Sequence, residues 1–398
     1  MNTDPQVSRT VNISIAKTWS DISVHEPFWS NTTHLPSADF DFYKLILECR
    51  KGNSAPRVFI ASVNKSPVAL LIARQEKTHT PITFGYSTLA RISSNKLVII
   101  EGGYIGIQSN TILHAFFSSI KSYAQENKID LISIENERID SDVYTFATKI
   151  QTDFLKGQSR PPSIHWQMSG WESWEHFLSK LSKKRRYWLN RLPRILNKDF
   201  ANNWNIKRYN TQREADAFLE TAEKVACKTY HRGLKTGFIN DKETKERAFA
   251  EAKAKQLDSY ILFINNNPAA FWFNFKRDTT LYLASTGYDP KFKKYELGTV
   301  LLSKIIGNTF SEQNHIQTID FGLGDAEYKR RFANVSYHES TILLFPLTLK
   351  GITLFSIIRT TSSLNSMAKK TLGKIGVARI VKTRWRRLKS DSNQQNNN

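Results

Sequence analysis

The stretch LYLASTGYDPKFKKYELGTVLLSKIIGNTFSEQNHIQTIDFGLGDAEYKRRF, residues Leu281–Phe332, decides the fold of this chain. It begins within a predicted β-strand, Thr280–Thr286, and a polar loop follows. A helix is predicted over Gly298–Glu312, and a second strand over Ile316–Phe321, before a further polar turn and helix. A strand, a polar turn, a helix and a strand in this order predict an α/β unit.

The turn before the helix has the features of an anion-binding site. The first turn of a helix offers unpaired backbone N–H groups and a positive dipole end. Gly298 would let a phosphate approach the backbone closely, and Lys291, Lys293 and Lys294 add positive charge. The alternative is an ordinary turn between strand and helix whose lysines are solvated.

The same order of elements occurs twice along the chain. The first copy is predicted at Phe40–Cys49 (helix), Arg57–Val63 and Ser66–Gln75 (hairpin), Ile82–Leu89 and Lys96–Glu101 (strands), Thr111–Asn127 (helix) and Asp130–Glu135 (strand). The second copy has a helix at Ala215–Cys227, a hairpin at Ser259–Ile264 and Ala269–Phe275, and then the elements of the opening stretch. We interpret this order as a diverged tandem duplication.

The fold class predicted from this duplication is α/β (α+β), with two tandem domains, each a central mixed sheet flanked by helices. The predicted divisions are an N-terminal domain at 1–160, a linker with a basic helix at 161–200, a C-terminal domain at 201–345 and a basic amphipathic tail at 346–398. The N-terminal domain lacks an evident Asp-x-x-Tyr equivalent, so we expect it to be the non-catalytic partner.

Composition excludes several classes of protein. The chain has 398 residues, of which 40% are hydrophobic, enough for a packed core. Its two cysteines, Cys49 and Cys227, lie far apart, which argues against a disulfide framework or zinc ribbon and favours a reducing compartment. The nine histidines show no metal-ligand spacing, so no metal is expected. The sequence shows no apolar leader and no run of transmembrane length, which predicts a cytoplasmic protein.

The net charge of +21 is concentrated in two segments, Lys180–Lys198 and the tail after Lys350. Local basic segments indicate anionic partners such as phosphates, acidic proteins, anionic lipid or nucleic acid. The first segment is predicted as a helix that Pro193 kinks or interrupts. It could bind donor phosphates, a carrier protein or an anionic polymer, or it could bridge the domains with solvated charges. The tail resembles a segment that contacts the inner face of an anionic membrane, but a basic helix packed on the body, with a disordered end, is favoured.

Several short motifs carry a resemblance to a known family. They are Tyr288-Asp289-Pro290, Tyr295-x-x-Gly298, Asp320-Phe321-Gly322, Gly324-Asp325-x-x-Tyr328-Lys329 and the basic run Ser182–Arg194. With the order of elements, they resemble the GNAT acyltransferases of the CelD/BcsL type, associated with cellulose and exopolysaccharide synthesis, and the FemAB-type peptidyl transferases. The resemblance covers about Trp174–Asn334 and is only architectural in the N-terminal half.

The resemblance implies transfer of an acetyl or other acyl group from acyl-CoA, as co-substrate, to an amine or hydroxyl acceptor. The family's pyrophosphate loop reads Arg/Gln-x-x-Gly-x-Gly/Ala, whereas Tyr295–Val300 keeps only the central glycine. An acyl carrier protein or an aminoacyl-tRNA therefore stays open as the donor. A non-catalytic basic scaffold for nucleic acid, membrane or a synthase partner is the remaining alternative, with nucleic acid less favoured.

Residue roles follow from the same resemblance. Tyr328 is the candidate acid, or alternatively a packed aromatic; Asp325 is the candidate base, or alternatively a helix N-cap. Asp320 is a third catalytic candidate, or a buried and satisfied residue. The residues expected at the donor are Ser285, Thr286, Tyr295, Leu297, Gly298, Thr299 and Lys329, with an oxyanion-stabilising N–H near Ala284–Thr286. The residues expected at the acceptor are Tyr288, Asp289 and Tyr230.

Overall fold

The computed structural model describes residues 11–84, 87–150, 152–158, 161–201, 203–229, 232, 237–311 and 316–374. In chain order the strands are β1 (Asn12–Ala16), β2 (Ser54–Val63), β3 (Ser66–Phe84), β4 (Ser87–Gly106), β5 (Leu131–Arg138), β6 (Phe154–Gln158), β7 (Ser163–Ser169), β8 (Trp204–Tyr209), β9 (Ser259–Ile264), β10 (Asn267–Arg277), β11 (Thr280–Tyr288), β12 (Thr318–Leu323) and β13 (Val335–Pro346).

Helices separate these strands. The α-helices are Trp19–Ser23, Glu26–Ser30, Phe40–Cys49, Asn110–Glu126, Asp142–Thr145, Trp174–Lys180, Lys183–Phe200, Gln212–Ala226, Lys242–Lys253, Leu297–Ser311, Glu327–Phe332 and Leu349–Lys374. Two 3-10 turns lie at Pro36–Ala38 and Pro290–Tyr295, and a π-helix at Phe146–Ile150. Contacts divide the described chain into two compact units, residues 11–163 with 338–374, and residues 164–337.

The first unit is built on a mixed sheet in the order β1-β2-β3-β4-β5-β13, with β6 also paired to β13. Its neighbours are antiparallel except β4 and β5, which pair in parallel. Helix Asn110–Glu126 covers one face through Phe116 and Phe117, and the N-terminal helices cover the other through Trp29 and Tyr43. This is the predicted arrangement of a central mixed sheet between helices.

The hairpin of β3 and β4 corrects one predicted strand. The sequence suggested a strand at Ile82–Leu89, but Phe84 ends β3 and Ser87 begins β4. The two strands pair from Ala69 opposite Gly106 to Phe84 opposite Ser87. The alternation of apolar and polar residues is the same on both sides of the turn, so it does not reveal where the chain reverses.

The strand β13 returns the chain to the first unit after the second unit is complete. Its residues 342–344 pair with β5 on one side and β6 on the other. Ile342, Leu344 and Phe345 are fully buried. The predicted ranges gave residues 201–345 to the C-terminal domain, whereas residues 338–374 lie in the first unit. Pairing across some 200 residues of sequence leaves no local pattern that would have placed this strand.

The second unit has its own mixed sheet in the order β7-β12-β11-β10-β9-β8. Only β11 and β12 are parallel. Helices Gln212–Ala226 and Lys242–Lys253 cover one face. Helices Lys183–Phe200 and Leu297–Ser311 cover the other. The two units thus follow the same order of elements, as the predicted duplication requires.

The basic helix Lys183–Phe200 belongs to the second unit and continues through Pro193, so of the two predicted effects of this proline, a kink or an interruption, the interruption is wrong. Proline removes one backbone hydrogen bond and costs roughly 3 kcal/mol in a helix interior. Leu189, Leu192 and Leu196 are buried on this helix, and each contributes about 1.5–3 kcal/mol of burial energy. That burial is enough to hold the helix together across the proline.

The C-terminal helix Leu349–Lys374 packs on the first unit. Leu354 is buried beside Phe345, and Lys350 Nζ donates to Asp130 Oδ2 at 2.7 Å. This contact matches the favoured interpretation of a basic helix packed on the body. Residues after 374 lie outside the described residues. Among the described helices, none combines the length and the apolar character needed to cross a membrane.

The central position of β13 gives a stability prediction. Leu344→Ala should lower the free energy of unfolding of the first unit by about 2–5 kcal/mol, because it removes a fully buried side chain and leaves a cavity. Denaturant unfolding measures this change. Leu347→Ala is the matched control, since Leu347 is 63% exposed three residues later, and it should change little. Equal effects of the two substitutions would contradict the placement of β13.

Candidate active site

The strands β11 and β12 pair over only three residues. Thr280–Tyr282 lie opposite Thr318–Asp320, and β11 then continues to Tyr288 while β12 continues to Leu323. The pairing therefore ends at Tyr282 opposite Asp320, and the strands separate toward their carboxyl ends. In open α/β sheets, ligands bind in the crevice outside the carboxyl ends of the strands.

A β-bulge lies on β11 just beyond this point. Leu283 pairs with Asn274 and Ser285 with Phe273, so the register skips Ala284. The extra residue of a bulge is left out of the hydrogen-bond ladder, and Ala284 is exposed. Its backbone lies within the segment where the resemblance places the oxyanion-stabilising N–H. The Thr286 hydroxyl donates to the Phe271 carbonyl at 2.8 Å, which commits that side chain to the sheet.

The loop after β11 forms the 3-10 turn Pro290–Tyr295, and the helix begins at Leu297. A Cβ atom at Gly298 would have no neighbour within 4 Å, so the space before this residue is open. The N–H groups of Thr299 and Val300 both donate to the Glu296 carbonyl, at 2.8 and 3.1 Å, so an anion at this helix N-terminus would use the N–H groups of Leu297 and Gly298. The loop therefore fits a phosphate group through its backbone.

The side chains around Gly298 were expected to contact the donor, but the structure places them inside the protein. Tyr295, Leu297 and Thr299 are all buried, so their side chains pack inward and do not line the open space. Tyr295 donates its hydroxyl proton to Asp199 Oδ2 at 2.8 Å. We call residues 290–300 the donor loop, after the role expected from the sequence. It offers backbone groups to the open space, while these buried side chains fix its conformation.

Glu296 fixes the loop from the side. It adopts the left-handed conformation, with φ of 48°, directly before the helix. Its carboxylate accepts from Trp188 Nε1 at 3.1 Å and from Arg331 Nη1 at 3.2 Å. Arg331 also lies over the Trp188 ring at 4.6 Å. These contacts tie the basic helix, the donor loop and helix Glu327–Phe332 together, and no sequence motif had indicated them.

The Trp272 indole ring contacts both Tyr328 and the donor loop. It packs edge-on against Trp272, with 5.7 Å between ring centroids, and near Phe321 at 6.4 Å. Trp272 Nε1 donates to the Gly298 carbonyl at 3.3 Å. Tyr328 is half-buried, so it is a packed aromatic and also lies beside the loop that is expected to hold the donor.

Asp320 is held by three donors at the point where the strands part. His165 Nε2 lies 2.7 Å from Oδ1, the Gly322 N–H donates to the same oxygen at 2.7 Å, and Gln167 Nε2 donates to Oδ2 at 2.9 Å. His165 stacks on Tyr337 with 4.7 Å between centroids. Both Asp320 and His165 are buried.

The histidine of this cluster was missed by sequence reasoning. His165 lies on β7 and Asp320 on β12, 155 residues apart, and only the antiparallel pairing of these strands brings them together. Burial and the Asp320 charge raise the pKa of Tyr282 to about 12, so this tyrosine is protonated at neutral pH.

Lys329 closes the turn between β12 and the following helix. Its ammonium group donates to the carbonyls of Gly322 and Leu323, both at 2.9 Å, and the side chain is buried. Burial lowers the pKa of Lys329 to about 8, although the charges of Asp320 and Asp325 raise it. The ammonium is therefore directed to these carbonyls, and the structure does not support the predicted phosphate contact.

Asp325 is exposed and forms a two-oxygen ion pair with Arg330, whose Nε lies 2.7 Å from Oδ1. The Arg330 hydrogen bond holds the pKa of Asp325 below its usual value, which makes it a weaker base. Ala326 occupies the N-cap position of the helix, so the N-cap interpretation of Asp325 is wrong.

The expected acceptor residues differ in placement. Tyr288 is 38% exposed. Asp289 is buried, accepts from Lys228 Nζ at 3.0 Å and from the Lys291 N–H at 3.1 Å, and thus closes the 3-10 turn. Burial favours the neutral acid, but the Lys228 hydrogen bond and the two lysine charges hold the pKa of Asp289 below its usual value. Tyr230 lies outside the described residues.

A search of the described residues for three converging His, Cys, Asp or Glu side chains finds no such group. The site that the structure brings together is instead built from a bulged strand, a helix N-terminus, a tyrosine and a buried carboxylate with its histidine.

The low pKa of Lys329 gives a prediction for stability against pH. Between pH 8 and about 10.5 the folded state binds fewer protons at this lysine than the unfolded state does. The free energy of unfolding of the wild type, minus that of Lys329→Met, should therefore rise with pH across this window. Urea unfolding at several pH values measures the difference. A difference that stays constant would contradict the buried placement of the ammonium.

Part of this chain is similar in sequence to a known protein family, and its structure is similar to solved structures. Residues 183–330 match the family model described as "Acetyltransferase (GNAT) domain". No curated protein sequence matches the chain. A conserved protein of unknown function from Bacteroides thetaiotaomicron VPI-5482 has a similar structure, with 12% identity, 84% of this chain and 100% of that chain covered, and a TM-score of 0.51.

Two further structures are similar at the level of the fold. FemX shows 10% identity, with 87% of this chain and 99% of that chain covered and a TM-score of 0.52. A tandem GNAT protein from the clavulanic acid biosynthesis pathway shows 8% identity, 84% and 98% coverage, and a TM-score of 0.49. Residues 183–330 are therefore similar to a GNAT acetyltransferase domain, and the solved structures show similarity of fold alone.

Proposed function

We propose that this protein transfers an acetyl or other acyl group from acyl-CoA to an amine or hydroxyl acceptor. The observation that carries the proposal is that three parts of the site all contact Trp272. This indole packs against Tyr328, donates to the Gly298 carbonyl and pairs with Thr286 on β11, two residues beyond the bulge. The candidate acid, the donor loop and the bulged strand thus surround one end of the crevice.

The chemistry follows from these positions. The acceptor nitrogen or oxygen attacks the thioester carbon, and a backbone N–H at the Ala284 bulge stabilises the oxyanion that develops. The carbon–sulfur bond then breaks, and the leaving thiolate takes a proton from the Tyr328 hydroxyl. We assign removal of the acceptor's proton to the pair of His165 and Asp320, because these side chains meet at the point where β11 and β12 part, whereas Asp325 is exposed and paired with Arg330.

The finer parts of the proposal rest on the family resemblance. It suggests an acceptor in cell-envelope or exopolysaccharide biosynthesis. We propose that the second unit is the catalytic one, since it contains the matched residues 183–330 and the crevice described above. The first unit is then the non-catalytic partner.

Binding of the donor provides the direct test. Thermal unfolding with acetyl-CoA near 100 times its Kd should show about 2.7 kcal/mol of stabilisation, which is a shift of several degrees for a unit of this size. Gly298→Glu should abolish the shift, because it places a negative side chain in the open space before the first helical turn.

Gly298→Ala is the control for folding, since its Cβ would have no protein neighbour within 4 Å and the variant should unfold like the wild type in the absence of ligand. Free CoA tests whether the acyl group adds affinity. A cooperative melt with no shift in the wild type would overturn acyl-CoA as the free donor.

A further inference from the structure

One face of the basic helix Lys183–Phe200 combines cations and an aromatic ring. Its members are Lys184, Tyr187, Arg191, Arg194 and Lys198, and all are exposed. Their spacing of three and four residues places them on one side of an α-helix. Lys184 and Lys198 lie 14 positions apart, which is about 21 Å at 1.5 Å per residue. We call this row the basic face.

The cations of the basic face lack close acidic partners in the described part of the chain, although the Asp199 carboxylate interacts with Lys198 at its end. In the part of the chain that the structure describes, none of its four cations takes part in an ion pair. Like charges three and four residues apart repel each other on a helix. The first turn adds Lys183 and Arg185 and contains no acid, although the helix dipole favours acids there.

This charge pattern weakens the helix locally, and the buried leucines on its other side offset the cost. A local feature that opposes the stability of its own element is a mark of a functional surface. Tyr187, 64% exposed within the row, supports this reading, because tyrosine and arginine are the residues enriched where proteins meet.

The basic face also lies beside the donor loop. On the same helix, Trp188 donates to Glu296, and Asp199 accepts from Tyr295 and from Lys294 at 3.3 Å. Phe200 packs on Tyr295, with 5.0 Å between ring centroids. A partner bound along the basic face would therefore present a flexible arm to the loop before Leu297.

The donor loop lacks two of the residues that the family motif has at the pyrophosphate. The two positions where the family motif carries Arg or Gln and a second small residue hold Tyr295 and Val300, and both side chains are buried. At these two positions the loop therefore offers a donor backbone groups and no side chain. A donor attached to a protein would gain affinity from contacts away from the thioester.

We propose that the basic face docks a small acidic protein that carries the acyl group as a thioester on a flexible arm. This inference rests on the proposed function and names the form in which its donor arrives. The carbon–sulfur bond of the arm breaks, its thiolate takes the proton from Tyr328, and the acyl carbon bonds to the acceptor, whose proton goes to the base. Acidic side chains one helical turn apart complement the spacing of the face.

Binding to a purified acidic acyl carrier protein bearing an acetyl group tests the proposal. Fluorescence anisotropy of the labelled carrier should show saturable binding to the full chain that weakens as salt rises. The triple variant Lys184→Glu, Arg191→Glu, Arg194→Glu should weaken binding about tenfold or more. Its acetyl-CoA thermal shift should match that of the wild type, because none of the three residues lines the open space at Gly298.

The control variant is Lys224→Glu, Lys242→Glu, Lys253→Glu, which makes the same change in net charge at exposed positions of helices Gln212–Ala226 and Lys242–Lys253. It should bind the carrier like the wild type. Equal losses in both triple variants, or no carrier binding, would overturn the proposal. Binding of tRNA that is lost only in the basic-face variant would identify a nucleic-acid surface instead.

The two proposals fail in distinguishable ways. If acetyl-CoA stabilises the protein but the carrier does not bind, the proposed acyl transfer stands and the docking surface falls. If neither the carrier nor acetyl-CoA binds, the thioester donor itself is wrong.

Discussion

The short pairing of β11 and β12 is the constraint on which the second unit depends. Parallel strands that stay paired leave no room between them, whereas these strands part after Tyr282 and Asp320. The separation frees the bulged backbone at Ala284 and opens a crevice at the carboxyl ends. Helix Leu297–Ser311 follows the same strand, so its N-terminus lies at this end of the sheet.

Separated strands need other contacts to hold them, and these contacts form the walls of the site. On the β12 side, Asp320 takes hydrogen bonds from His165 and Gln167 of β7, and Lys329 closes the turn that follows. On the β11 side, Trp272 joins the sheet to the first helical turn. Two of these stabilising groups, His165 and Asp320, are also the pair that we propose removes the acceptor's proton.

The basic helix connects this site to the protein surface. One side buries leucines against the sheet, its middle holds Glu296 through Trp188, and its outer side carries the basic face. A substitution on the outer side can change binding of a partner without changing the loop, because the two sides of the helix are independent. This separation of roles allows donor binding and partner docking to be measured apart.

The sequence by itself determined the class of fold, the duplicated order of elements and the polar turn before the helix that contains Gly298. Short sequence patterns predict these features: apolar residues alternate in strands, apolar residues recur at helical spacing in helices, and a glycine follows a polar turn. The tertiary structure alone decided the pairing of His165 with Asp320, the place of β13 in the first unit and the inward direction of Lys329. Each of these joins residues through burial or strand pairing that no local pattern records. His165 and Asp320 stand 155 residues apart, so only the folded sheet could bring these side chains together.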